Sequence, residues 1–125
     1  MPLIILRNHA RSALKGSKNF SKLSAENLEK VIDCFQIKRV KEGEVIVGQN
    51  VKMKNMIFFM VEGTYDISKD TCRCDLYGDE AVQFPDSPFS MSMVMKEDGK
   101  MAWTTLETIT KTLGCSVEEA IEKTY

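Results

Sequence analysis

Tyr77-Gly78-Asp79-Glu80-Ala81-Val82, followed by Ser87-Pro88-Phe89-Ser90-Met91-Ser92-Met93-Val94, reads as a turn, one short helical turn, a loop and a strand. A glycine at such a turn lets backbone approach a ligand, and free N–H groups at a helix start point at an anion. The layout therefore suits a pocket wrapped around a phosphate. Yet no arginine or lysine lies between Cys74 and Lys96. A phosphate cradle without a cation sets the functional question.

Upstream of this cassette the chain punctuates itself into short strands. Thr64-Tyr65-Asp66-Ile67-Ser68 alternates apolar and polar, as a half-buried strand does, and Cys72 to Tyr77 follows as another. Met56-Ile57-Phe58-Phe59-Met60-Val61 is continuously apolar, which predicts a strand buried on both faces. Val45-Ile46-Val47 is a short β run behind Lys41-Glu42-Gly43-Glu44, a turn with glycine at a positive-φ site. Before that lies a helix. Ser24 is its N-cap, Glu26 favours its dipole, and Leu28, Val31, Ile32 and Phe35 form one apolar face. Cys34 sits on the same face. Asn19 to Leu23 is a connector with two apolar anchors, and His9–Leu14 predicts a short first helix ending near Gly16.

Downstream, Ser90 to Met95 alternates small polar residues with methionine. Glu97-Asp98-Gly99-Lys100 is a hairpin-type loop, and Met101-Ala102-Trp103 a last strand. Thr104 is placed to cap a helix carrying Leu106, Ile109 and Leu113, which ends at Gly114. Ser116-Val117-Glu118-Glu119 has capping-box spacing and opens a final helix. Helices, many short strands, then helices predict a small α+β β-roll, of jelly-roll or double-stranded β-helix type, flanked by N- and C-terminal helices.

Composition narrows the function. The 125 residues suit one domain, and 43% hydrophobic with 28% charged content is ordinary for a globular chain. A net charge of −1 argues against a nucleic-acid footprint, and no apolar run approaches a membrane span. Met1 to Leu6 is apolar but lacks the order of a secretion signal. Cys72 and Cys74 point to one face if strand-borne. A zinc site needs four ligands and the chain has one histidine, so no metal is expected; reduced intracellular thiols fit Cys34, Cys72, Cys74 and Cys115 better. Asp79 and Glu80 lack a neighbouring nucleophile or metal for acid–base catalysis, and no Walker loop, nucleophile elbow or HExxH pattern occurs, so the chain itself is not expected to be an enzyme.

The order of these pieces resembles the cyclic-nucleotide-binding domain family. Phe20-Ser21-Lys22-Leu23-Ser24 is similar to the segment that opens its first roll helix, and Val40 to Ile46 to its first turn. Phe58 to Tyr65 is similar to its "hydrophobics, x-x-Gly, small, hydrophobic" strand pair. Tyr77 to Val82 resembles the Phe-Gly-Glu-x-Ala-Leu start of its phosphate-binding cassette, and Trp103 to Leu113 its closing strand and hinge helix. Five weak likenesses in the right order over about a hundred residues make a consistent signal. The resemblance implies a roll over residues 20–103 between an N-terminal linker and helix, 1–19, and C-terminal helices, 104–125. Within the family the likeness is to tandem regulatory domains of cGMP-dependent protein kinases, including the longer arrays of apicomplexan parasites. It implies a cytoplasmic protein whose partners are the neighbouring regulatory and kinase domains of the same chain. ATP and magnesium would belong to that kinase domain, with no cofactor in this part.

The departures from the family pattern matter most. A ligand-binding member has a glutamate after the cassette glycine, for the ribose 2′-hydroxyl, and an arginine for the cyclic phosphate. Here Asp79 stands at the glutamate position, and Phe89, or Pro88 if the loop gains no residue, at the arginine position. A charge-assisted bond is worth about 1.5–3 kcal/mol and a bidentate arginine supplies two, so losing ~3–5 kcal/mol weakens binding by roughly two to four decades. Met91 and Met93 are bulkier than the small residues usual there. The resemblance thus implies a vestigial pocket of Gly78, Asp79, Glu80, Ala81, Phe89 and Ser90, in which cGMP is held weakly or not at all. The competing reading is a working cGMP or cAMP sensor whose phosphate contacts come from backbone amides or from Lys52 or Lys54.

Overall fold

Phe58 and Phe59 lie fully buried on opposite sides of one strand, and the molecule is organised around that alternation. The computed structural model describes residues 3–47, 55–67, 76–82 and 92–122. In chain order it contains α1 (Leu3–Lys15), α2 (Ala25–Ile32), β1 (Gln36–Val40), β2 (Val45–Val47), β3 (Met56–Glu62) and β4 (Tyr65–Ile67). A 3₁₀ turn (Asp79–Val82), β5 (Met93–Met95), β6 (Gly99–Thr105), α3 (Leu106–Leu113) and α4 (Val117–Glu122) follow. Two three-stranded antiparallel sheets result among the described residues, in the orders β1-β6-β3 and β2-β5-β4. This is the expected roll with helices at both ends of the chain.

The period of two in β3 decides where the two cores lie. Ile57 and Phe59 point to one side, where they join Ala102 of β6 with Leu14, Val31, Ile109 and Val117 of the helices. Met56 and Phe58 point to the other, where they meet Val40, Val47, Met93, Met95 and Met101 inside the roll. The continuous apolar run predicts burial on both faces, and the first four residues of β3 are buried. Gly99 opens β6 against the end of β3. A Cβ there would lie 2.2 Å from the Glu62 carbonyl oxygen, so no side chain fits.

The helices follow local rules. Ser24 accepts from the Asn27 amide at 3.2 Å and caps α2. Gly114 takes the left-handed conformation that ends α3, and Ser116 accepts from the Glu119 amide at 3.2 Å at the start of α4. Cys34 and Phe35 are buried, but just beyond α2, which stops at Ile32.

Three expectations need correction. The last strand is longer than Met101–Trp103: Gly99 and Lys100, expected in the hairpin loop, already pair with Val40 and Arg39 of β1. The first helix begins at Leu3, not His9. Its length is stabilised by tertiary contact: Ala10, Ala13 and Leu14 are buried, while Arg7 pairs with Asp33 and Glu29, and Arg11 with Glu29 at 2.5 Å, clasping α1 to α2. The cap of α3 is Thr105, which accepts from the Thr108 amide at 3.2 Å. Thr104 still belongs to β6, where the strand alternation turns it inward to 2% exposure. Its hydroxyl has no hydrogen-bond partner among the described residues.

Candidate functional site

The cassette is hung on β3. Phe58 and Tyr77 exchange backbone hydrogen bonds at 3.0 and 2.8 Å, as an isolated antiparallel bridge. Their rings stack at 5.3 Å, and the Tyr77 hydroxyl lies 3.0 Å from that of Tyr65 on β4. Gly78 follows with φ +86°, a conformation that costs glycine little and other residues strain. It redirects the chain into the 3₁₀ turn, which begins at Asp79. Ala81 is buried under that turn.

The cradle differs from the sequence expectation in one respect. The amide of Ala81 donates to the Gly78 carbonyl at 3.2 Å. One of the N–H groups expected to face a ligand is therefore engaged within the turn.

Asp79 is the informative residue. Its Oδ2 accepts from the Ser17 hydroxyl at 2.5 Å and from the Asn19 side-chain amide at 3.2 Å. The same Asn19 amide donates to the Asp79 backbone carbonyl at 3.1 Å. Ser17 in turn accepts from the Asn19 backbone amide at 3.2 Å and is only 6% exposed. The cassette acid is thus held by the connector between α1 and α2, about sixty residues earlier in the chain, and no cation pairs with it among the described residues.

Of the expected pocket, the structure brings together Gly78, Asp79 and Ala81, and places Glu80 in the same turn. Phe89 and Ser90 lie outside the described residues, as do Met91, Cys72, Cys74, Lys52 and Lys54. Met93 is fully buried within the roll, beside Phe58 and Tyr77 in the same apolar cluster. Ser17, Asn19 and Tyr65 were not singled out as site residues. Nothing local to Gly16-Ser17-Lys18-Asn19 marks a carboxylate partner, because the contact exists only once the roll has closed.

On the helical side, α1 and α2 are joined by the arginine clasp. Arg11 first, and then Arg7, hydrogen-bond Glu29 and hold its carboxyl below the usual glutamate value. Asp33, then Glu29, raise Arg7 above its ordinary value. No group of three histidine, cysteine or acidic residues that could hold a metal occurs among the described residues. Cys34 and Cys115 are free thiols, the first buried with its sulfur 3.3 Å from the Thr112 hydroxyl. No described helix is long and apolar enough to cross a membrane.

No family model matches the chain, and no curated protein sequence matches it. Solved structures do. A cAMP-bound PfPKA-R superposes with a TM-score of 0.61 at 17% identity, covering 97% of this chain and 44% of the other. The regulatory domain of Toxoplasma gondii PKA with cAMP gives 0.66 at 15% identity, covering 94% and 46%. The sensor domain of the transcriptional regulator DNR from Pseudomonas aeruginosa gives 0.60 at 15%, covering 98% and 85%. The chain spans less than half the length of the first two. It has the fold of a cyclic-nucleotide-binding regulatory domain.

Proposed function

We propose that this chain is a non-catalytic regulatory module of a cyclic-nucleotide-linked protein kinase, of the cGMP-dependent type by its sequence resemblance. Its cassette holds cyclic nucleotide weakly or not at all, and it acts by packing between neighbouring domains of one chain. The observation that carries this reading is the state of Asp79. The one cassette acid whose side chain is described is committed to Ser17 and Asn19, and the sequence offers no cation from Asp75 to Met95 to offset a phosphate. A second anion brought beside that carboxylate is repelled rather than bound. The buried Met93 and the ring pair Phe58–Tyr77 support the same conclusion, since bulky apolar groups fill the roll.

A domain that binds no ligand differentially cannot shift an equilibrium by sensing. It can brace and transmit. The contacts that support this role run in series: Arg7 and Arg11 fix α1 on α2, the connector after α1 grips the cassette through Asp79, and α3 continues directly from β6. Displacement of either terminal helix is thereby passed to the roll.

Isothermal calorimetry with cGMP and cAMP tests the proposal. The expected result is no saturable binding below about 1 mM, a free energy weaker than about −4 kcal/mol. A micromolar dissociation constant for either nucleotide would overturn it and favour a working sensor with non-standard phosphate contacts.

A further inference from the structure

The cassette hangs from β3, at one edge of the β1-β6-β3 sheet. The opposite edge is β1, two inter-strand spacings or about 10 Å away. Among the described residues β1 pairs with β6 alone, so its outer row of N–H and C=O groups has no strand partner. Natural sheets usually blunt such an edge by covering it or shortening it. Here Gln36, Ile37, Lys38 and Arg39 are all exposed, with Ile37 at 43%.

The chemistry along this edge is specific. β1 and β2 belong to different sheets and diverge after the turn that joins them. Between them opens a groove of about 160 Å³ floored by Ile46, Met56 and Met101 and walled by Val45 and Trp103. Val45 is 52% exposed. A cavity of about 150 Å³ takes a benzene ring, so the groove suits one large apolar side chain. The Lys38–Glu44 ion pair, at 3.5 Å, stands at its rim. On the other face of the sheet, Arg39 lies directly opposite Lys100 of β6. Like charges at opposed positions are destabilising, and neither cation has an ion-pair partner among the described residues.

We infer that the β1 edge docks an extended acidic segment of a partner protein, added to the sheet as a further strand. Main-chain hydrogen bonds to β1 supply affinity, and alternate side chains supply specificity. Those on one face place an apolar anchor in the groove beside Trp103; those on the other place carboxylates against Arg39 and Lys100. A second copy pairing β1 on β1 fits poorly, because Lys38 and Arg39 would face their own like charges.

Trp103 is the sole tryptophan of the chain and lines the groove, so its emission reports occupancy. The probe is a capped peptide of alternating aspartate and valine with one central phenylalanine; the control replaces aspartate by lysine. The acidic peptide should shift Trp103 emission saturably and slow hydrogen exchange of the β1 amides, and the basic peptide should do neither. Arg39→Glu, at an exposed position that leaves the core intact, should weaken the acidic peptide at least tenfold and favour the basic one. Three results would overturn the inference: unchanged Trp103 emission up to millimolar acidic peptide, binding indifferent to charge reversal, or protein self-association through this edge. None of them bears on nucleotide binding, so this inference and the proposed function fail separately.

Discussion

Asp79→Ala is the substitution that most directly tests the link between the connector and the cassette. The carboxylate accepts from Ser17 at 2.5 Å and from Asn19 at 3.2 Å. A hydrogen bond to a charged acceptor is worth about 1.5–3 kcal/mol net, and a buried hydroxyl left without its acceptor costs about 1–3 kcal/mol. These figures describe the same bonds from two sides and are not summed. Asp79 is half-buried, so solvent screening trims the charge-assisted part. The expected loss is about 2–3 kcal/mol for Asp79→Ala and about 1 kcal/mol for Asn19→Ala, whose amide can still be replaced by water. Urea unfolding followed by Trp103 emission reads this directly. With a slope of about 1–3 kcal/mol per molar, the midpoint should fall by about 1 M for Asp79→Ala. The double-mutant cycle of Ser17→Ala with Asp79→Ala should show a coupling of about 1–2 kcal/mol, because the two share one bond. Asp79→Asn keeps an acceptor oxygen and should retain part of the stability. A loss below about 0.5 kcal/mol for Asp79→Ala, or an additive cycle, would refute the view that the connector grips the cassette through this carboxylate.

Other outcomes follow from single features. Glu29 has its folded-state pKa depressed by Arg11 and Arg7. The clasp therefore contributes fully above the ordinary glutamate range, near 4.3, and is lost as pH falls through the lower folded value. The difference in melting temperature between the wild type and Glu29→Gln should be constant from neutral pH to about 5 and shrink below the ordinary glutamate range. Gly99→Ala should destabilise by about 1–3 kcal/mol or more, since its Cβ meets the Glu62 carbonyl at 2.2 Å, read as a lower urea midpoint. Thr104→Val should be neutral or stabilising in thermal melts, because the buried hydroxyl it removes has no partner among the described residues. Ser24→Ala should cost about 1 kcal/mol in the same melts, the usual worth of an N-cap.

Much of the fold was legible because its signals are local. The β3 run from Met56 needed only the rule that a strand apolar at every position is buried on both faces, and the caps at Ser24 and Ser116 needed only the next three residues. Locality also explains the errors. The threonine pair 104–105 offered two caps, and the choice belonged to β6, which stays paired with β3 through Thr104 and Thr105. The first turns of α1 were missed because Met1 to Leu6 carries no capping signal; its clasp partners Glu29 and Asp33 lie more than twenty residues away.

Sequence alone determined the order of elements, the roll they form and the lack of a cation along the cassette, because periodicity, caps and charge are properties of neighbouring residues. Only the tertiary structure decided what Asp79 does and which sheet edge stays open among the described residues. A carboxylate takes whichever donors the closed chain brings within hydrogen-bond reach, here Ser17 and Asn19 from about sixty residues earlier in the chain. An edge exists only after every other strand has found its neighbour.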